Sequence, residues 1–191
     1  MKQRPEDFPR ALTVRAPWAW AMLEVERVQR RLGLDVCPKR VENRKGALYE
    51  WAAGLDVLLH AAAAAPARAE VAEVARRVAP LAGLSDAHVD IDAMHAMRGQ
   101  VVGVVRFIGC WVERPAAAAT SRPLRRAWDR WRMPEAGKHA WLMADVRRLH
   151  TQRPATGQLG LWRVPPDLHA AVMDDLERGA FDQCAPAPWE G

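Results

Sequence analysis

The chain has 191 residues, half of them hydrophobic and 27% charged, with a formal net charge of +5. That length supports one domain with a real core, and that composition excludes a disordered chain. Cys37, Cys110 and Cys184 lie far apart without a Cys-x-x-Cys spacing, which argues against a disulfide framework and a structural zinc site and for a reducing cytoplasm.

The first ten residues read as a loose arm, with no apolar stretch behind Met1 to suggest a signal peptide. Ala11–Val14 predicts a short strand. Pro17 suits the first turn of a helix, where a missing N–H costs nothing. Trp18, Ala21, Met22 and Val25 recur at helical spacing, so the helix is expected to run to about Arg31 and stop at Gly33. Lys39–Arg44 reads as a strand or its beginning. Asp56–Ala61 is a buried-type strand. The apolar run from Val57 to Ala67 is broken by His60 and Pro66, so no membrane span or membrane partner is expected.

Residues 66–82 form an Ala/Val/Arg helix pattern, and Asp90 or Asp92 can cap a short helix to Met97. Val101–Ile108 is the clearest strand, β-branched and preceded by Gly99. After a flexible link at 115–120, Ser121 can cap a helix through Arg132. Trp141–Val146 and Gln158–Val164 predict two more strands, with Gly160 marking a bulge or bend in the second. Asp167–Arg178 predicts a closing amphipathic helix ended by Gly179. A βαβ alternation is absent. The pattern predicts an α+β fold: a small β-barrel of about five to six strands with peripheral helices.

Two segments carry most of the chemistry. Arg15-Ala16-Pro17-Trp18-Ala19-Trp20 sets a guanidinium and two indoles at a helix start, where backbone N–H groups can meet a phosphate or carboxylate. Lys39-Arg40-Val41-Glu42-Asn43-Arg44 packs an amine, two guanidiniums, a carboxylate and an amide into six residues, a donor and acceptor set suited to a nucleobase. The blander reading is a Glu42–Arg44 ion pair at a strand end with Lys39 in solvent. Trp18 is expected in the core beside Met22, and Trp20 is the ring expected to be more exposed. His60, alone in an apolar strand, is either a hydrogen-bonded core residue or a ligand contact. Trp141 follows a Gly-Lys-His turn and is a stacking candidate. No metal-ligand spacing is found among the six histidines; His88 and His95 are seven apart, and Asp90 and Asp92 read as caps. No cofactor is expected.

The charge is unevenly placed. Arg122, Arg125, Arg126, Arg130 and Arg132 against Asp129 give +4 in eleven residues, leaving about +1 for the rest. Leu124, Ala127, Trp128 and Trp131 make an apolar stripe opposite those arginines. That face can be a solvated helix surface or a track for a phosphate backbone.

Taken in order, six motifs resemble the ASCH domain family of the PUA-like superfamily. They are Val14-Arg15-x-Pro17-Trp18-Ala19, Lys39-x-x-Glu42-Asn43-Arg44, Leu58-Leu59-His60-Ala61, Gly103-Val104-Val105, Trp141-Leu142-x-Ala144-Asp145-Val146 and Gly157-x-Leu159-Gly160-Leu161-Trp162-x-Val164. The resemblance implies an 11–165 barrel domain with a cleft at one mouth, followed by a C-terminal helix and tail at 166–191. Residues 26–38, 62–98 and 112–139 are then insertions into a compact member. It also implies binding of RNA, DNA or a modified nucleoside in that cleft, for which the candidate contacts are Arg15, Pro17, Trp18, Trp20, Asn43, Arg44, His60 and Trp141. The arginine face Arg122, Arg125, Arg126, Arg130 and Arg132, read from its charge, would add contacts to a nucleic-acid backbone. Some members of the family are amidohydrolases acting on N4-acylated cytidine, others are ribonucleases or coactivator modules. In a hydrolase Lys39 and Glu42 would be catalytic. Glu42, however, stands where the amidohydrolases carry a Thr, and a carboxylate cannot serve as a hydroxyl nucleophile. A strict strand also puts Lys39 and Glu42 on opposite faces. Three functions follow as alternatives: a nucleotide-binding module, a hydrolase using Lys39, and a protein-interaction domain presenting the helices of 62–98. The sequence leaves the oligomeric state open.

Overall fold

A computed structural model of the chain describes residues 9–31, 37–78, 89–116 and 120–179. The N-terminal arm before Pro9, the Gly33 stop, the end of the 66–82 helix, His88, Cys184 and the C-terminal tail lie outside them. The described elements are β1 (Arg10–Val14), α1 (Ala16–Leu23), α2 (Val25–Arg31), β2 (Val41–Arg44), a 3-10 turn (Glu50–Ala52) and β3 (Asp56–Ala61). They continue with α3 (Arg68–Val78), α4 (Ile91–Ala96), β4 (Gln100–Trp111), α5 (Arg122–Trp131), β5 (His139–Pro154), β6 (Leu161–Arg163) and α6 (Pro166–Gly179).

The six strands form one mixed sheet in the order β2-β5-β4-β3-β1-β6. Only β1 and β3 run parallel; every other pair is antiparallel. The sheet curls into a half-barrel with helices around it, an α+β architecture as expected. Its curl has a local cause. The β3–β4 pairing shifts register once and the β4–β5 pairing three times, and each such irregularity bends and twists a strand. β4 extends beyond the expected Val101–Ile108 through Gly109, Cys110 and Trp111, and β5 extends beyond Trp141–Val146 into a polar half that gave no strand signal. Arg147, Arg148, His150 and Thr151 carry no apolar signal, yet Arg147 and Arg148 continue the ladder with β4. The buried Asp175 carboxylate of α6 accepts the amides of His150 at 2.7 Å and Thr151 at 3.0 Å, binding that half of β5 to the helix.

Both sheet faces are covered. Leu12, Val57, Leu59, Val105 and Phe107 pack with α1 in the larger core, while Ala11, Leu58, Val104 and Trp162 pack with Val172 and Leu176 of α6. Helix α1 is buried on nearly every side, from Ala16 to Leu23 with only Trp18 half-buried. The single helix expected to reach Arg31 is divided at Glu24. This coincides with the Glu24 carboxylate reaching Arg148 of β5 at 2.8 Å. The last strand is shorter than Gln158–Val164, beginning only at Leu161. The predicted inserted segments hold α2, α3, α4 and α5. No helix among the described residues is long and apolar enough to cross a membrane.

Candidate functional site

The segment Lys39–Arg44 is not a uniform strand. Pairing with β5 begins at Val41, and the chain enters it through Arg40, whose carbonyl accepts Met143 N–H at 3.0 Å. Lys39 lies ahead of the paired strand Val41–Arg44, so strand alternation does not part it from Glu42. The Lys39 ammonium donates to Glu42 Oε2 at 2.9 Å and also to the Val41 carbonyl. Two residues on, Arg44 returns to the same strand face as Glu42. Its Nε stands 3.0 Å from Glu42 Oε1, an ion pair without hydrogen-bond alignment, and its Nη2 donates to the Thr13 carbonyl at 2.8 Å. Arg44 thus ties the edge strand β2 to β1, with which it does not pair in the sheet.

An indole lies beyond each cation. The Lys39 ammonium is 5.8 Å from the centre of the Trp18 ring, and the Arg44 guanidinium is 5.7 Å from that of Trp141. Both separations allow cation–π attraction. Trp141 is itself fixed, with its N–H donating to Gly46 O at 3.0 Å and its ring meeting Phe107 edge-on. Gly137 lies against the Arg44 backbone so closely that an added Cβ would stand 2.4 Å from Arg44 C. The sequence thus places Gly where the turn before β5 must touch β2.

Exposure grades the cluster. Lys39 is 1% exposed and Trp141 5%, while the side chain of Arg44 is 25% exposed. Burial pulls the Lys39 pKa below its ordinary value, against the pull of Glu42. Burial would raise Glu42, but Lys39 and Arg44 outweigh it and hold the carboxyl below the usual glutamate range. The cluster therefore contains one ionised carboxylate between two basic groups. This departs from the blander sequence reading, in which Lys39 sat in solvent.

The remaining candidates separate from this cluster. Asn43 is engaged by the end of α5: its amide donates to Trp131 O at 3.0 Å, and its carbonyl accepts Met133 N–H at 2.9 Å and Arg132 Nη1 at 3.0 Å. Arg15 turns to α3, pairing with Glu70 at 3.0 Å and donating to Ala65 O. Pro17 is buried in the first turn of α1, as expected. The two indoles of α1 exchange the expected places. Trp20 is 1% exposed, and Trp18 is the half-buried ring that reaches the cluster. Helical angle misassigned them because α1 is enclosed by β3, β5 and three helices, so it has no single buried face. Trp20 instead backs a separate cavity of about 270 Å³ between α1, α2, α4 and β5, whose lining shares no residue with the cluster.

His60 takes the core alternative. Ala155 O, 3.0 Å from Nε2, can only accept, so Nε2 carries the proton and Nδ1 accepts from the Thr13 hydroxyl at 3.2 Å. That hydroxyl accepts Trp162 Nε1–H at 3.0 Å. Burial pushes the imidazole below its ordinary pKa, opposed by the Ala155 bond. Gly157 closes over the ring, where a Cβ would stand 2.4 Å from His60 Nδ1.

The arginines of α5 are not one solvated face. Arg132 donates to Gly137 O and Lys138 O at 2.7 Å, in addition to Asn43. Arg125 donates to Thr120 O, and the Arg130 carbonyl holds Arg77. Arg126 is half-buried, whereas Arg122 is exposed. Ser121 occupies the cap position without a side-chain cap bond, whereas Asp90 does cap α4, accepting Ala93 N–H at 2.8 Å. Among the described residues no three His, Cys, Asp or Glu gather as metal ligands.

Sequence reasoning missed Thr13, whose carbonyl and hydroxyl serve two clusters. Its only signal was a polar residue inside the run Ala11–Val14, directly before Arg15. It also missed His139, which is opposite Arg44 in the ladder and lies 3.5 Å from Cys110 Sγ. Compared with known proteins, the chain matches no family model and no curated sequence.

Proposed function

We propose that this chain is an ASCH-type nucleic-acid or modified-nucleoside binding module. The reading rests on one observation: the buried Glu42 carboxylate is shared by Lys39 and Arg44, with Trp18 and Trp141 beyond them. With all three groups ionised the cluster holds a surplus positive charge in a poorly screened setting, where a charge acts strongly on an approaching anion. Arg44 and Trp18 are its more accessible members, whereas Trp141, the ring beside Arg44, is buried. The guanidinium suits a phosphate and the half-buried Trp18 ring suits a base. Lys39 and Glu42 support them from behind.

Binding of short single-stranded RNA and DNA and of nucleoside monophosphates, measured by fluorescence anisotropy and calorimetry at low salt, tests this. Arg44→Ala and Trp18→Ala are each expected to weaken binding roughly tenfold. Undetectable binding of every ligand by the unaltered protein at low salt would sink the reading.

The hydrolase alternative draws on a separate observation, the lowered pKa of buried Lys39, since an amine acting as a base must give up its proton near neutrality. Incubation with N4-acylated cytidines and with RNA decides it. Turnover that survives Lys39→Ala removes Lys39 from any mechanism.

A further inference from the structure

Outside the cluster, the 3-10 turn between β2 and β3 displays an aromatic stack. Tyr49, the chain's single tyrosine, is 59% exposed, although the flanking Leu48 is buried. Its ring lies on that of Trp51 with centroids 5.5 Å apart and planes 12° from parallel. The guanidinium of Arg10 sits 5.3 Å from the Trp51 centroid, and Trp51 in turn packs against the main core. The Tyr49 carbonyl accepts Ala52 N–H at 2.9 Å, so the turn fixes the residue that presents the ring. Tyr49 is therefore a backed and oriented ring with much of its surface in water, unlike a tyrosine hanging loose from a loop.

The stack follows the cluster closely in sequence. Tyr49 stands five positions after Arg44, which limits the separation of their Cα atoms to about 18 Å. The connecting segment is pinned halfway, where Gly46 O accepts the Trp141 indole. Lys45 is exposed along it. Arg44 and the exposed Lys45 precede the ring along this segment, Arg10 lies on Trp51 behind it, and the exposed Glu50 is the next residue in sequence. Cations tracking a path that ends on an open aromatic face match the chemistry of a single strand: phosphates along the cations, a base on the ring.

We infer that Tyr49, backed by Trp51 and Arg10, is a second base-stacking subsite, and that the ligand of this protein is a single-stranded oligonucleotide rather than a free nucleoside. This rests on the nucleic-acid reading of the Lys39–Glu42–Arg44 cluster. One end of the strand meets the cluster, and a neighbouring base a few nucleotides along covers Tyr49. Every base has a π face, so the subsite tolerates sequence and rewards length.

The test compares the unaltered protein, Tyr49→Ala and Tyr49→Phe against three ligands at low salt: a short fluorescein-labelled oligouridylate, its deoxythymidylate counterpart, and uridine monophosphate. The expected result is a roughly tenfold loss of oligomer affinity in Tyr49→Ala, none in Tyr49→Phe, and unchanged monophosphate affinity in both. An exposed ring contributes little to folding, so thermal midpoints should coincide and the comparison stays interpretable. Equal oligomer affinity for the unaltered protein and Tyr49→Ala overturns the subsite while leaving the nucleic-acid reading intact. Equal losses for oligomer and monophosphate also overturn it. No binding of any of the three by the unaltered protein overturns the nucleic-acid reading itself, and the subsite with it.

Discussion

Thr13 belongs to two polar clusters that differ in their charge balance. Its carbonyl accepts Arg44, a member of the ionic group with Lys39 and Glu42. Its hydroxyl links Trp162 to His60, which goes on to Ala155. The second group is a neutral chain in which every donor has one acceptor. The first shares one carboxylate between two cations and sets a ring beyond each. Residue type did not separate them, because a histidine in an apolar strand and a lysine three residues before a glutamate both look chemical. Partner counting separates them: the neutral chain is complete, whereas the ionic cluster sets two basic groups against one carboxylate.

The largest break in that comparison is expected at Glu42. Glu42→Ala leaves Lys39 and Arg44 facing each other without their carboxylate. Removing one partner of a buried pair costs about 3–5 kcal/mol. Lys39→Met should cost much less, because Glu42 keeps Arg44. Urea unfolding of both variants checks the asymmetry, and equal costs would mean that Arg44 does not sustain Glu42. Acid gives the same cluster a pH signature. The folded pKa of Glu42 is lowered, so its contribution is complete above the ordinary glutamate value and is lost as pH falls below it.

The neutral chain should break more gently and at a different pH. Thr13→Val keeps the shape but strips the hydroxyl from Trp162 and His60, at a cost of about 1–3 kcal/mol for unsatisfied buried groups. The lowered His60 pKa means that the unfolded chain takes up its proton first as pH falls. Stability is therefore held above about 6.5 and declines below it. Unfolding midpoints at pH 7 and pH 5.5 should diverge in the unaltered protein and lie closer together in His60→Gln. An unchanged gap in His60→Gln would show that another group carries the acid loss.

Much of the frame was legible because apolar runs and breakers are local signals. Asp56–Ala61 matches β3 residue for residue, and Pro17 stands in the first turn of α1. The polar half of β5 was illegible because its ladder is completed by distant partners, β4 and Asp175, that leave no local pattern. In the site, Lys39, Glu42 and Arg44 were visible as a dense set of charges. Their convergence was not, since Lys39 lies ahead of the paired strand Val41–Arg44, where alternation does not set its direction. Trp18 and Trp20 were exchanged because helical angle says nothing of a helix enclosed by three others. Asn43 looked like a reader of bases by type, yet its bonds close on α5, a segment some ninety residues away.

That last contact sharpens the reading of the basic segment and leads to the smallest expected effect. Arg132 bonds Asn43, Gly137 and Lys138, and all three flank the cluster. Arg132→Ala should loosen the β2–α5 junction and lower the unfolding midpoint, with any loss of nucleic-acid affinity following from that. Arg122 is exposed and stands at the start of α5. Arg122→Ala should leave the midpoint unchanged. If the segment meets a phosphate backbone, the same change flattens the logarithmic salt dependence of binding by about one unit. If the salt slope of Arg122→Ala matches that of the unaltered protein, α5 is a brace for β2 and the positive field of the cluster acts alone.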